Sequence, residues 1–265
     1  MSEQAIEVRD LTKVFGGNRL LFGGRRHKVV AVDAVTLALR RGETLAVVGE
    51  SGSGKSTLAR MLVGLEQPTS GNMKIAGQDA STLRGQGARA FGKVVQYVFQ
   101  DPVASLNPRK TIGQILETPS KLLNGYDAVH RRARMAELLD AVQMPVDTLT
   151  RYPHEFSGGQ AQRIAIARAL AAEAEVLILD EPVSALDVSV QAQVLLLLQE
   201  LKQTFGLSYL FISHDLAVVE AIADRVAVMR AGRLVEEAPV GTLFSNPTDP
   251  YTVQLLASAP RLLKS

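Results

Sequence analysis

The chain has 265 residues and a mass of 28.5 kDa, with 46% hydrophobic and 21% charged residues, which excludes a disordered, collagenous or charged-tail protein and allows a real core. Lys and Arg total 29 against 27 Asp and Glu, and the formal net charge of +2 gives no electrostatic case for a nucleic-acid partner. Cysteine is absent, so a disulfide framework and any thiolate-held zinc or iron-sulfur site are excluded, in keeping with a reducing compartment.

No stretch is long enough to span a membrane: apolar runs such as Val194 to Leu198 and Val176 to Leu179 fall far below the roughly 18 to 20 residues needed. The first seven residues lack the basic and apolar regions of a secretory signal, and no internal repeat is present, so one compact unit is expected. Ile6 to Val14 and Val29 to Leu39 alternate loosely between apolar and polar residues and predict strands of a small antiparallel sheet. Between them runs a Gly-rich, basic loop from Gly16 to Lys28, whose Arg25, Arg26 and Lys28 read as a solvated hairpin tip. Thr44 to Val48 predicts a short buried strand, followed by a Gly-rich turn and a helix through Ser56 to Leu62. From Pro102 to Pro153 the chain reads as helical, with Met135, Leu138, Leu139 and Val142 on one buried face and His130, Arg131, Arg132 and Arg134 on a wet one. Ala161 to Ala172 predicts another helix. Beyond it, strands at Val176 to Asp180 and Tyr209 to Ser213 flank a helix at Val190 to Phe205, with Leu195 to Leu198 read as its buried face; this β-α-β unit implies a parallel sheet.

The loop after the Thr44 strand carries the strongest chemical signal, because Gly49-Glu50-Ser51-Gly52-Ser53-Gly54-Lys55-Ser56 satisfies G-x-x-x-x-G-K-[ST] between a strand and a helix. Small residues let successive backbone N–H groups converge on phosphate oxygens, and the helix N-terminus adds partial positive charge. Lys55 can reach the β and γ phosphates, and the Ser56 hydroxyl can ligate Mg²⁺. Such a cradle serves kinases, GTPases and many ATPases alike. A second constellation narrows the choice: Asp180 and Glu181 end an apolar strand, where one carboxylate can hold Mg²⁺ and the other can polarise an attacking water. Phe156-Ser157-Gly158-Gly159-Gln160 opens the Ala161 helix and is a second glycine-rich start able to bind an anion. The loop is expected to face solvent, so replacing Lys55 should spare the fold.

Taken together these residues resemble the ABC-type ATPases, from about residue 5 to 258. Ser157 to Gln160 look like the signature motif; Gln100, ending Tyr97-Val98-Phe99-Gln100, like the Q-loop; Ser184-Ala185-Leu186-Asp187 like the D-loop; His214 like the switch histidine; and Phe15 sits where the family has an adenine-stacking aromatic. Asp101 to Arg109 and Asn246 to Thr252 are similar to the oligopeptide, dipeptide and nickel import branch. One departure stands out, since larger members carry a longer, often Cys-containing C-terminal extension.

The resemblance implies an α/β fold: a P-loop NTPase (RecA-like) core with an N-terminal antiparallel β-subdomain and an inserted helical subdomain. Within one ABC ATPase domain, residues 1–100 and 157–235 would form the nucleotide-binding core with its β-subdomain, 101–156 the helical subdomain and 236–265 a helical tail. It implies ATP held by Phe15, Gly49, Ser51, Gly52, Ser53, Gly54, Lys55, Ser56 and Thr57, and Mg²⁺ held by Ser56, Gln100 and Asp180. Catalysis is assigned to Glu181, His214, Gln100 and Lys55. Ser157, Gly158, Gly159, Gln160 and Asp187 would act in trans, on ATP held by a second, similar but non-identical ATPase chain. Further implied partners are two transmembrane permease subunits and, through them, an external solute-binding protein, which places the chain at the cytoplasmic face of the inner or plasma membrane. His27, His130 and His154 read as solvated or structural.

Overall fold

The computed structural model describes residues 3–16 and 28–258, so Arg25 and Arg26 of the expected hairpin tip, and His27, lie outside the described residues, while Lys28 is exposed. The chain opens with β1 (Gln4–Phe15), β2 (Val29–Arg40), β3 (Thr44–Val48), α1 (Lys55–Leu62), β4 (Ser70–Ile75) and β5 (Gln78–Asp79). Next come α2 (Ala80–Gln86), α3 (Ala88–Val94), β6 (Val95–Val98), α4 (Pro102–Ser105), α5 (Ile112–Leu122) and α6 (Ala128–Ala141). Two short 3₁₀ turns, Val146–Thr150 and Pro153–Glu155, lead into α7 (Gly158–Leu170), β7 (Val176–Asp180), α8 (Val188–Phe205) and β8 (Ser208–Ile212). The last elements are α9 (Leu216–Ile222), β9 (Arg225–Arg230), β10 (Arg233–Pro239), α10 (Val240–Ser245) and α11 (Pro250–Ser258). The helical tail expected from residue 236 therefore starts at Val240, because β10 continues to Pro239.

The strands form two sheets. One is antiparallel, ordered β2-β1-β4-β5; the other is ordered β10-β9-β3-β8-β7-β6 and is parallel except where β10 turns back along β9. β3 is buried along its whole length, as a central parallel strand must be. Its side chains alternate: Leu45 and Val47 join the core shared with α1 and the antiparallel sheet, while Ala46 and Val48 face α9 and Tyr251 on the other side. Full burial of a Leu or Val side chain such as Leu45, Val47 or Val48 stabilises the fold by about 1.5–3 kcal/mol. α7 and α8 cover the far end of the sheet over Leu177, Leu179, Tyr209 and Phe211.

Two expectations for the helices are corrected. Leu196 is 60% exposed, because the buried positions of α8 are Val194, Leu197, Leu198 and Leu201, and the 3.6-residue period turns Leu196 outward. The basic cluster on α6 is also not uniformly wet. Arg131 pairs with Glu117 of α5 at 2.7 Å and also donates to the Tyr126 carbonyl, while Arg134 pairs with Glu137 and lies over the Phe205 ring at 5.6 Å. Arg131 ties α6 to α5 within the helical segment and Arg134 packs it against α8; His130 and Arg132 remain exposed.

Candidate functional site

Leaving β3, the chain turns sharply at Gly49, where a Cβ would sit 2.1 Å from the Met229 carbonyl oxygen, and enters α1 through Gly54, where a Cβ would sit 2.2 Å from the Ala31 carbonyl. Both have positive φ, 147° and 107°, so glycine is required twice over. Gly54 is the N-cap of α1 and has no side chain to accept from the first-turn amides, which are thereby offered to a ligand. From behind, the Gly232 amide donates to the Ser53 carbonyl at 2.9 Å.

Lys55 corrects an expectation. It is only 6% exposed, and its ammonium donates to the Gly49 carbonyl (2.8 Å), the Glu50 carbonyl (2.9 Å) and the Ser53 hydroxyl (3.4 Å). All three donors are matched, so the side chain is a strut of the loop as well as a cation facing its interior. Burial lowers its pKa, against the opposing pull of Glu181 and Asp180.

The carboxylates arrive on β7. Asp180, nearly buried at its end, accepts from the Ser56 hydroxyl on one oxygen (3.2 Å) and from the Tyr97 hydroxyl on the other (2.5 Å). Burial, followed by this bond to Asp180, pushes the Tyr97 phenol well above its usual range, so it stays a donor. Glu181 has a left-handed backbone, φ 48°, of a kind that costs a non-glycine residue about 1–2 kcal/mol. Its amide donates to the Ile212 carbonyl at 2.9 Å. The carboxylate is held from two sides: Gln100 Nε2 donates to one oxygen at 3.0 Å, and His214 Nδ1 stands 3.1 Å from the other. Three separate crossovers, after β6, β7 and β8, thus deliver one amide, one carboxylate and one imidazole to a single point.

These groups border a cleft of about 570 Å³ lined by Ser51, Gly52, Gly54, Lys55, Ser56, Thr57, Gln100, Glu181 and His214, with Val29, Val30 and Ala31 of β2 as its apolar wall. Phe15 is 39% exposed, pairs with Val29 across β1 and β2, and carries the Lys13 ammonium 4.8 Å from its ring centroid. The second glycine-rich start is elsewhere. Neither Ser157 to Gln160 nor Asp187 lines the cleft. Ser157 and Gln160 form a capping box at the head of α7, the Gln160 amide donating to the Ser157 hydroxyl (3.4 Å) and the Ser157 amide to the Gln160 side chain (3.0 Å). Asp187 caps α8 by accepting from the Val190 amide at 3.0 Å. Ser157, Gly158, Gln160 and Asp187 are exposed, and Gly159 is half-buried.

Tyr97 was missed as a site residue by sequence reasoning. Its only signal is a hydroxyl-bearing ring inside an otherwise apolar strand, three residues before Gln100.

A family model described as ABC transporter matches residues 32–184. The chain is 50% identical over 259 residues, 97% of its length, to the oligopeptide transport ATP-binding protein AppF of Bacillus subtilis (strain 168), covering 79% of that relative. It is 48% identical to the dipeptide transport ATP-binding protein DppF of Escherichia coli (strain K12), over 99% of this chain and 78% of the relative. Among solved structures, the ATP-binding cassette MJ0796, a dimer in a post-hydrolysis state bound to ADP and Pi, superposes with a TM-score of 0.77 at 27% identity over 89% of this chain and 98% of that one. The cbiO1 subunit of the Clostridium perfringens transporter complex cbiONQ gives 0.78 at 26% identity, over 92% of each chain.

Proposed function

The chain belongs to the ABC transporter family of ATP-binding subunits, and on that premise we propose how its own residues bind and hydrolyse ATP. It is an ATP-hydrolysing subunit of a transporter complex that includes membrane permeases; among the described residues no helix is long and apolar enough to cross a membrane. The single observation that carries the mechanism is the Glu181 carboxylate held between Gln100 and His214 at the cleft into which the phosphate cradle opens.

The triphosphate lies over the amides of Gly52 to Thr57, with Lys55 exchanging its loop carbonyls for the β and γ phosphates. Gly49 and Ser51 shape the turn, and Phe15, outside the cleft lining but paired with Val29 of its apolar wall, offers a face to the adenine. The paired oxygens of Ser56 and Asp180, with the Gln100 side-chain carbonyl on the same cleft, form a hard-donor set that suits Mg²⁺. When bound, that ion neutralises charge on the β and γ phosphates. Glu181 orients water against the γ-phosphorus and takes its proton as the bond to the β–γ bridging oxygen breaks, releasing ADP and phosphate. His214 fixes the Glu181 carboxylate and can donate to the γ-phosphate, while Gln100 links the same carboxylate to the helical segment at 101–156.

The signature start Ser157 to Gln160, with Asp187, acts on ATP held by a second, homologous and non-identical ATPase chain; the dimeric MJ0796 cassette supports this pairing. The rest of the assembly is two permease subunits, bound at the cytoplasmic face of the membrane, and an external solute-binding protein. The transported solute is assigned to short peptides rather than nickel, on the strength of the oligopeptide and dipeptide relatives.

The test is Glu181→Gln in the assembled complex. ATP binding should persist while hydrolysis falls by about two to four orders of magnitude, the typical worth of a general base. Turnover at the wild-type rate would remove Glu181 from the role assigned to it.

A further inference from the structure

The Asn246–Thr252 stretch is outside the matched family region and unused by the mechanism above, yet one of its side chains touches the phosphate loop. The Tyr251 hydroxyl accepts from the Glu50 amide at 3.1 Å, two hundred residues apart in sequence. We propose that this segment is a strut that presets the phosphate cradle, with Tyr251 as its positioning residue.

The strut can be followed bond by bond. β9 runs parallel to β3, so its partner β10 is anchored to the same sheet that launches the cradle. From β10 the Glu236 carboxylate accepts from the Thr248 amide and hydroxyl, both at 2.8 Å, and from the Asp249 amide at 3.0 Å. Asp249 accepts in turn from the Tyr251 amide at 2.8 Å, fixing the start of α11. The Tyr251 ring is 3% exposed, packs in the core with Ala46 and Val48 of β3, and lies beneath the Arg230 guanidinium at 4.7 Å. Its hydroxyl is therefore delivered to Glu50 by a scaffold fixed on both sides. Glu50 is the second residue of the cradle, and its carbonyl is one of the three acceptors of Lys55. A turn held at its entrance loses less conformational freedom when a triphosphate fills it, so the strut should appear as nucleotide affinity.

The inference rests on the reading of Gly49 to Ser56 as the ATP cradle, and the experiment separates the two. MgATP is titrated calorimetrically into the full chain as wild type, Tyr251→Phe and Lys55→Ala, with melting temperature and amide hydrogen exchange of the peptide containing Glu50 measured on each. Tyr251→Phe keeps the ring in place and removes only the acceptor. Expected is an affinity loss of about two- to fivefold from the looser cradle, with faster exchange at Glu50 and a melting temperature lowered by no more than the loss of one hydrogen bond explains. If Tyr251→Phe binds MgATP as wild type does while Lys55→Ala binds weakly, the strut is overturned and the cradle stands. If Lys55→Ala also binds normally, the cradle reading falls and the strut with it. An affinity loss accompanied by a lower melting temperature and unchanged Glu50 exchange would make Tyr251 a packing residue and overturn the proposal.

Discussion

The chain builds two glycine-rich helix starts, and they are finished in opposite ways. At the head of α1, Gly54 offers no capping side chain, and the loop before it is gripped by β9, by the β9–β10 turn and by its own lysine. At the head of α7, Ser157 and Gln160 cap each other and the motif stays exposed, away from the cleft. On the proposed reading the first is an anion site complete within one chain, braced from behind and offering the uncapped first-turn amides of α1. The second has its amides partly satisfied by its own side chains and lies away from the cleft, so on the proposed reading it serves a phosphate presented by another chain. By that reading the chain is gripped where the nucleotide would be held and left exposed where a partner would approach.

The largest perturbation of this contrast is Lys55→Ala. Losing the cation should weaken MgATP binding roughly thirtyfold or more, the worth of charge-assisted hydrogen bonds to phosphate. Because Lys55 is also a strut of its loop, removing it should destabilise the fold by about 1–3 kcal/mol, read as a lower melting temperature. An unchanged melting temperature would restore the solvent-facing loop expected from the sequence.

A finer probe is Tyr97→Phe, which deletes the donor to the second Asp180 oxygen and leaves the first on Ser56. Outer donors of this kind typically tune metal affinity by 10- to 100-fold. The Mg²⁺ concentration for half-maximal ATPase should rise about tenfold, while nucleotide binding measured in chelator stays at the wild-type value. An Mg²⁺ dependence that does not move would mean that Asp180 is positioned without Tyr97.

The smallest effect concerns acid stability. Burial opposes ionisation of Glu236, but the Thr252 hydroxyl beside it and the Thr248 and Asp249 amides outweigh that penalty and hold the carboxyl at about 2, below its ordinary 4.5. A depressed carboxyl stabilises the fold above its unfolded value, and that contribution is lost as pH falls from about 4.5 towards 2. Melting curves between those limits should fall less steeply for Glu236→Gln than for wild type; parallel curves would show that the carboxylate contributes nothing specific.

Much of this was legible in the sequence. The cradle, the acidic strand end and the parallel β-α-β unit follow from local pattern, because a phosphate loop needs glycine at fixed offsets and a doubly covered strand must be apolar throughout. What escaped is the path of the backbone within the loop and the long-range register between elements. Lys55 looked solvent-facing because nothing local indicates that Gly49, Glu50 and Ser53 fold back to surround its ammonium. Tyr97 and Tyr251 meet Asp180 and Glu50 only once β6 is laid beside β7 and the last helix over β3, and neither approach leaves a periodicity. Arg131 and Arg134 share a charged face with His130, and only the placement of α5 and Phe205 separates the anchored cations from the wet ones.

The central claim is that the cradle acts for its own chain and the signature start for another. Ser157→Arg blocks the head of α7 with a bulky cation and leaves Gly49 to Ser56 untouched. In the assembled complex, labelling of this chain by a photoreactive azido-ATP should stay at the wild-type level, while hydrolysis at the facing site of the partner ATPase collapses. Loss of labelling on this chain itself would show the signature acting in cis and contradict the account.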